Sequence, residues 1–242
     1  MIKNSNFMKK SLGVLVHPTS LPGGSYSGTF GEGLKNWINL LSANKIYSWQ
    51  FLPLTPPDSL GSPYSSPSSF ALNPWFLDAL ELKINNYIKD SEIIEEIRLD
   101  GEKTNSLKFA IANKLSKSIG ELLLKNWDLQ SVQVKEEFSL WLENNQWVND
   151  FSIFSVLKEQ FNLLPWWQWP EEFRDKDKIK IDLWKKDNSN KLLVKKLIQW
   201  HLHRQWLKIK KFAALKGVKL IGDIPFYVSR DSVDVWSNKS LF

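Results

Sequence analysis

Three short apolar runs, each opening into loop-forming sequence, constrain this chain more than any other feature. Residues 12–16 read LGVLV and end in His17-Pro18, with Gly/Pro/Ser-rich sequence as far as Gly33. Residues 49–54 read WQFLPL and enter TPPDSLGSPYSSPSSFALNP over 55–74, and residues 218–224 read VKLIGDI. Such runs predict buried strands, because β-rich apolar stretches bounded by Pro, Ser and Gly cannot continue as helices. Between the first two, Leu34, Trp37, Ile38 and Leu41 follow the i, i+3, i+4, i+7 spacing of an amphipathic helix. The order strand, loop, helix, strand, loop is that of an α/β fold with a parallel sheet.

From Trp75 to about Asn190 the sequence changes to long Lys/Glu/Asn-rich segments of helical period. Leu107, Ala110 and Ile111 open one predicted helix that Leu115, Ile119 and Leu122 continue; Phe138, Trp141 and Leu142 mark another. The stretch is too long and too periodic for a loop and reads as a mostly helical insertion. Val194, Leu197, Ile198, Leu202, Trp206, Ile209, Phe212 and Ala213 then predict one long helix, with Gly217 as its C-cap, directly before the third strand. The chain divides accordingly into 1–74, with strands 1 and 2 and their long loops, 75–190, the helical subdomain, and 191–242, with a helix, the third strand and its loop.

Composition removes several classes of function. The 242 residues are 43% hydrophobic and 24% charged, as in a soluble globular protein. With no cysteine there is no thiol nucleophile, disulfide or Cys-based zinc site, and three histidines (His17, His201, His203) form no metal-ligand pattern, so a metal-free protein is expected. The net charge of +6 does not point to nucleic acid: only four of 32 basic residues are arginine, and lysines alternate with acids, as in RDKDKIKIDLWKKD (174–187). SLGVLVHP after Lys9 and Lys10 is too short for a signal peptide, and no segment approaches 18 apolar residues. The expectation is a cytoplasmic enzyme with neither a membrane nor a nucleic-acid partner.

Tryptophan is abundant, with 13 residues. Trp37, Trp141, Trp200 and Trp206 sit at helical spacing and are expected to pack in the core, whereas Trp166, Trp167 and Trp169, in LPWWQWP (164–170), are hard to bury together and point to a binding surface. Aromatic faces suit sugar rings. In a (β/α)8 barrel the chemistry lies at the carboxyl ends of the strands. There stand His17 after the first run, Ser62 and Tyr64 in the loop after the second, and Asp223 at the end of the third. Such barrels need about 250 residues for the barrel alone, so with this insertion the chain has room for about three strands.

GVLVHPTSLPGG (13–24), WQFLPLTPPDSLGSPYSSPSSFALNP (49–74) and KLIGDIPFYVSRDSVDVWSNKSLF (219–242), in this order and spacing, resemble the 4-α-glucanotransferases of glycoside hydrolase family 77. The resemblance implies the N-terminal portion of a (β/α)8 (TIM) barrel with a helical insertion. It also implies an α-1,4-glucan or maltooligosaccharide substrate, and neither a metal nor an organic cofactor. Such enzymes transfer a glucan segment to the 4-hydroxyl of an acceptor by retaining double displacement. That requires a nucleophilic carboxylate and an acid/base carboxyl about 5–5.5 Å apart. The resemblance places both on later strands, beyond Phe242, so no catalytic carboxylate is expected here and the chain alone is expected to be inactive. An incomplete barrel would also leave an unpaired strand edge and uncovered interior side chains, which favour aggregation or pairing with another chain.

Within the matching motifs, Asp223 is expected to support the donor sugar subsite, with a helix cap or loop hydrogen bond as the plain alternative. Tyr64 is expected to stack on the sugar, and Ser62 to bond a sugar hydroxyl or shape the turn. His17 either touches sugar or anchors its loop. Asn73-Pro74 sets a loop end, and Arg230, Asp231, Asp234 and Trp236 form the loop and helix start after the third strand. Glu95 with Glu96 and Glu136 with Glu137 are solvated pairs, since adjacent carboxylates on a helix diverge. A non-catalytic glucan-binding or interaction protein, or half of a split enzyme, are the alternatives.

Overall fold

In the computed structural model, which describes residues 12–22, 27–89 and 109–242, the three apolar runs become one sheet. β1 (Gly13–Leu15), β2 (Ser48–Gln50) and β3 (Lys219–Ile221) lie side by side in that order, all parallel. Val14, Trp49 and Leu220 are partners across the sheet, as are Leu15, Gln50 and Ile221. Successive side chains point to opposite faces. The Val14–Trp49–Leu220 row therefore enters the core, with Trp49 fully buried, while Leu15 and Ile221 on the other face are 54% and 45% exposed. The strands are shorter than the apolar runs. After β2, Phe51 still donates to the Ile221 carbonyl at 3.1 Å, but Pro53 has no N–H with which to extend the ladder.

α1 (Glu32–Ala43) turns Leu34, Ile38 and Leu41 to the core, as their spacing predicts. Beyond the β2 loop come α2 (Ala79–Ile84), α3 (Phe109–Lys125), α4 (Val132–Asn144), α5 (Trp147–Gln160), α6 (Glu171–Arg174) and α7 (Lys178–Asp187), so the region read as helical is helical where described. Leu107, expected to open α3, lies outside the described residues. α8 (Ser189–Leu215) is the longest helix, with 27 residues. It packs on α1, α3, α5 and β3. Gly217 ends it as the sequence predicts, one residue past the cap: at φ +72° it lets its N–H reach the Ala214 carbonyl at 3.1 Å and the Val218 N–H reach that of Ala213 at 2.9 Å. This is a Schellman motif, which the left-handed conformation of glycine permits. No described helix is long and apolar enough to cross a membrane.

The tryptophans divide differently from the sequence reading. Trp200 is buried, but Trp37, Trp141 and Trp206 are half-buried at the margin of the core. Trp169, expected at a binding surface, is 3% exposed and packs with Phe154 and Trp236 in a second apolar cluster. Its bulk is worth more in that cluster than in water.

Two buried glutamines of α8 hold the chain that follows β2. Gln199 accepts from the Leu72 N–H at 2.9 Å and donates to the Leu72 carbonyl at 2.8 Å. Gln205 does the same to Asp78, at 2.9 and 3.0 Å, and also donates to Glu81. Each carboxamide thus substitutes for one rung of a sheet ladder. Asp78 in turn caps α2 through the Glu81 N–H at 2.7 Å and accepts from the Thr29 hydroxyl at 2.6 Å. A Cβ on Gly31 would come within 1.9 Å of that carboxylate, so any larger residue would have to displace it from its bonds. Gln205→Ala is expected to leave the buried Asp78 N–H and carbonyl unpaired and to lower unfolding free energy by about 2–3 kcal/mol in a urea titration. A change below about 0.5 kcal/mol would show that the clamp is dispensable.

Candidate functional site

The loops that leave β2 and β3 meet at Tyr64 and Asp223. Tyr64 and Asp223 are 159 positions apart, and the Tyr64 hydroxyl donates to Asp223 Oδ2 at 2.7 Å. Asp223 Oδ1 accepts from the Ile224 N–H at 2.8 Å, which fixes the carboxylate against its own loop. Tyr64 lies in the short 3-10 turn Pro63–Ser65, whose N-cap is Ser62. Ser62 Oγ accepts from the Tyr64 N–H at 3.3 Å, and the Ser62 N–H donates to Asp58 Oδ1 at 2.9 Å. The turn role thus accounts for Ser62 in this structure, with its hydroxyl proton still free to donate.

Two further ties close the same pair of loops. The Val233 N–H donates to the Pro67 carbonyl at 2.9 Å. The Ser69 N–H donates to Asp234 Oδ2 at 2.9 Å. Asp234 lies in the first turn of α9 (Val233–Ser237), capped by Ser232, and Trp236 of the same turn is fully buried and donates to the Phe173 carbonyl at 2.9 Å. The 230–236 segment therefore forms the ordered loop and helix start expected of it. At the far end of the β2 loop, Asn73 caps the 3-10 turn Pro74–Phe76 by accepting from the Trp75 N–H at 3.1 Å.

His17 stands at the end of β1, beside the core and not in the hydrogen-bonded cluster. Its ring packs edge-on against Phe76 with centroids 5.6 Å apart. Nδ1 is buried without a hydrogen-bond partner, and burial pushes the imidazole down to about 4. The Tyr64 phenol is moved the other way. The hydrogen bond to Asp223, and the charge of that carboxylate, hold the phenol above its ordinary range. Tyr64 is 43% exposed and Asp223 half-buried, so both remain open to a ligand.

Other candidates stay apart from this cluster. Glu136 and Glu137 are exposed on α4, and Glu137 accepts from Gln133 at 3.3 Å and pairs loosely with Arg204 at 4.0 Å. Glu95 and Glu96 lie outside the described residues. Among the described residues no group of three His, Cys, Asp or Glu is placed to hold a metal ion. The residues that sequence reading missed are Gln199, Gln205, Thr29 and Ser69, polar groups whose partners are backbone or carboxylate atoms far along the chain.

Comparison with known proteins follows the same segments. A sequence profile described as 4-alpha-glucanotransferase matches residues 16–242. A 4-alpha-glucanotransferase of Clostridium butyricum is 32% identical over 228 residues, covering 94% of this chain and 46% of that protein. One of Streptococcus pneumoniae serotype 4 is 30% identical over 236 residues, covering 97% and 46%. The solved amylomaltase of Streptococcus agalactiae in complex with acarbose superposes with a TM-score of 0.89 at 29% identity, over 97% of this chain and 47% of that one. The chain thus spans about half the length of the relatives it matches.

Two titrations test the geometry. Asp223→Asn removes the anionic acceptor, so the Tyr64 phenol is expected to titrate at lower pH than in the parent, read by tyrosine NMR shifts; an unchanged midpoint would mean that the bond is not formed. For His17 the folded pKa lies below the unfolded one, so the unfolded chain binds more protons between pH about 6.5 and 4, and stability falls as pH drops through that window. His201 and His203 are lowered by burial as well and act in the same direction. His17→Phe, which keeps the edge contact, is expected to flatten part of that slope in urea titrations at pH 7 and pH 4.5.

Proposed function

The chain belongs to the 4-alpha-glucanotransferase family, and from that premise we propose that it supplies the sugar-binding half of an α-1,4-glucan transferase site. The observation that carries this reading is the Tyr64–Asp223 hydrogen bond of 2.7 Å, which joins two strand-end loops around an exposed aromatic ring. The three parallel strands are read as the first three of a (β/α)8 barrel, with 75–190 as its helical insertion, 1–74 and 191–242 as barrel segments, and the cytoplasm as the setting.

The chemistry follows from the donors and acceptors. A phenol that donates to Asp223 keeps its oxygen lone pairs for a sugar hydroxyl and its ring face for the sugar's C–H groups. The carboxylate of Asp223 accepts one bond at each oxygen from the protein and has a lone pair at each left for sugar hydroxyls. His17 is neutral at pH 7. Packed edge-on against Phe76, it anchors the loop that follows β1. Ser62 can donate its hydroxyl proton to a sugar oxygen. Tyr64, Asp223 and Ser62 bind and orient the sugar. The nucleophile and acid/base of retaining transfer are expected on strands beyond this sequence.

The test is titration of the purified 242-residue chain with maltotriose by calorimetry, with product chromatography alongside. Saturable binding is expected, weakened at least tenfold by Tyr64→Ala, with no conversion of maltotriose to glucose and longer maltooligosaccharides. Binding indifferent to Tyr64→Ala would refute the site, and disproportionation by the chain alone would refute the assignment of the catalytic carboxylates elsewhere.

A further inference from the structure

Beyond Asp223 the β3 loop carries an arginine whose backbone is clamped and whose side chain is left open. The Arg230 carbonyl accepts from Trp166 Nε1 at 2.7 Å. Asp231 beside it accepts from Lys158 Nζ at 2.6 Å and from the Trp166 N–H at 3.3 Å, and the Lys158 side chain is only 14% exposed. Two adjacent residues are thereby fixed. The Arg230 guanidinium lies over the Trp167 ring, 4.4 Å from its centroid, and its N–H groups meet no acceptor among the described residues. The other described arginines are engaged: Arg174 pairs with Asp175 at 2.8 Å, and Arg204 donates to the Tyr87 hydroxyl at 2.5 Å.

Trp167 is set apart in the same way. Trp169 lies inside the second apolar cluster and Trp166 packs against it, whereas Trp167 belongs to neither large cluster. Its indole N–H also has no acceptor among the described residues. The nearby cations Lys158 and Lys239 are already paired, with Asp231 and Asp175, so the place is not an anion cradle. What it presents is a half-buried indole with one face under a guanidinium whose donors are unpaired among the described residues. That combination fits a neutral ring with C–H groups on one side and hydroxyls at its rim. Arg230 is seven positions from Asp223, which places them within about 25 Å even for an extended chain.

We propose that Trp167 and Arg230 form an accessory contact for an α-glucan chain that runs on from the Tyr64–Asp223 site. The proposal rests on the reading of that pair as a sugar site. It is tested by calorimetric titration of the 242-residue chain, Trp167→Ala and Arg230→Ala with maltotriose and maltoheptaose, at low and high salt, with 15N–1H spectra to verify folding. Maltotriose affinity is expected to stay unchanged in both variants, while maltoheptaose affinity falls about fivefold in each, with little salt dependence. Arg230→Ala leaves the aromatic cluster intact, so it reads the contact even where Trp167→Ala disturbs packing. Equal maltoheptaose affinity in parent and variants would overturn the contact while leaving the Tyr64 site standing. Failure of the parent chain to bind either glucan would overturn both. Strong salt dependence with competition by inorganic phosphate would overturn the glucan assignment in favour of an anion site.

Discussion

A loop that carries a binding side chain away from the end of a parallel strand leaves the ladder and must find other partners for its backbone. Here the long helix α8 provides them. A carboxamide has both an acceptor and a donor end, and Gln199 and Gln205 each use both against one backbone residue, Leu72 or Asp78. The glutamines are 2% and 1% exposed, so water cannot replace them. The path of the chain after β2 is thus set by a helix more than a hundred positions later in the sequence.

The second loop is fastened to the first, beside the Tyr64–Asp223 pair. Val233 and Asp234 grip Pro67 and Ser69, and Tyr64 reaches Asp223 a few residues away. Arranged in this way, the phenol and carboxylate are held at hydrogen-bond distance before any ligand arrives, which lowers the ordering cost of binding. Family membership and the close superposition with the Streptococcus agalactiae amylomaltase give this local geometry its carbohydrate reading.

The strand and helix order was legible because it is written in local pattern. Leu34, Ile38 and Leu41 face the core at helical spacing, and Gly217 ends α8 as a glycine should. Tyr64 and Asp223 could be picked out as candidates by their place after predicted strands and by motif resemblance, but nothing in their spacing announces that they touch. Gln199 and Gln205 were illegible for a related reason: inside a helical pattern a glutamine reads as surface, and only the tertiary partner shows that it is buried. The Trp-rich segment shows the limit of composition. Three neighbouring indoles look alike in sequence, yet Trp169 is core, Trp166 is a backbone clamp and Trp167 is stacked under an arginine.

The central claim is that Tyr64 and Asp223 act as one unit in holding a sugar. A double-mutant cycle with Tyr64→Phe, Asp223→Asn and the double variant, read as maltotriose affinity, tests it most directly. Because the phenol donates to the carboxylate, the account predicts that the double variant binds little worse than the poorer single one, so the losses do not add. Fully additive losses, or single variants with unchanged affinity, would contradict it.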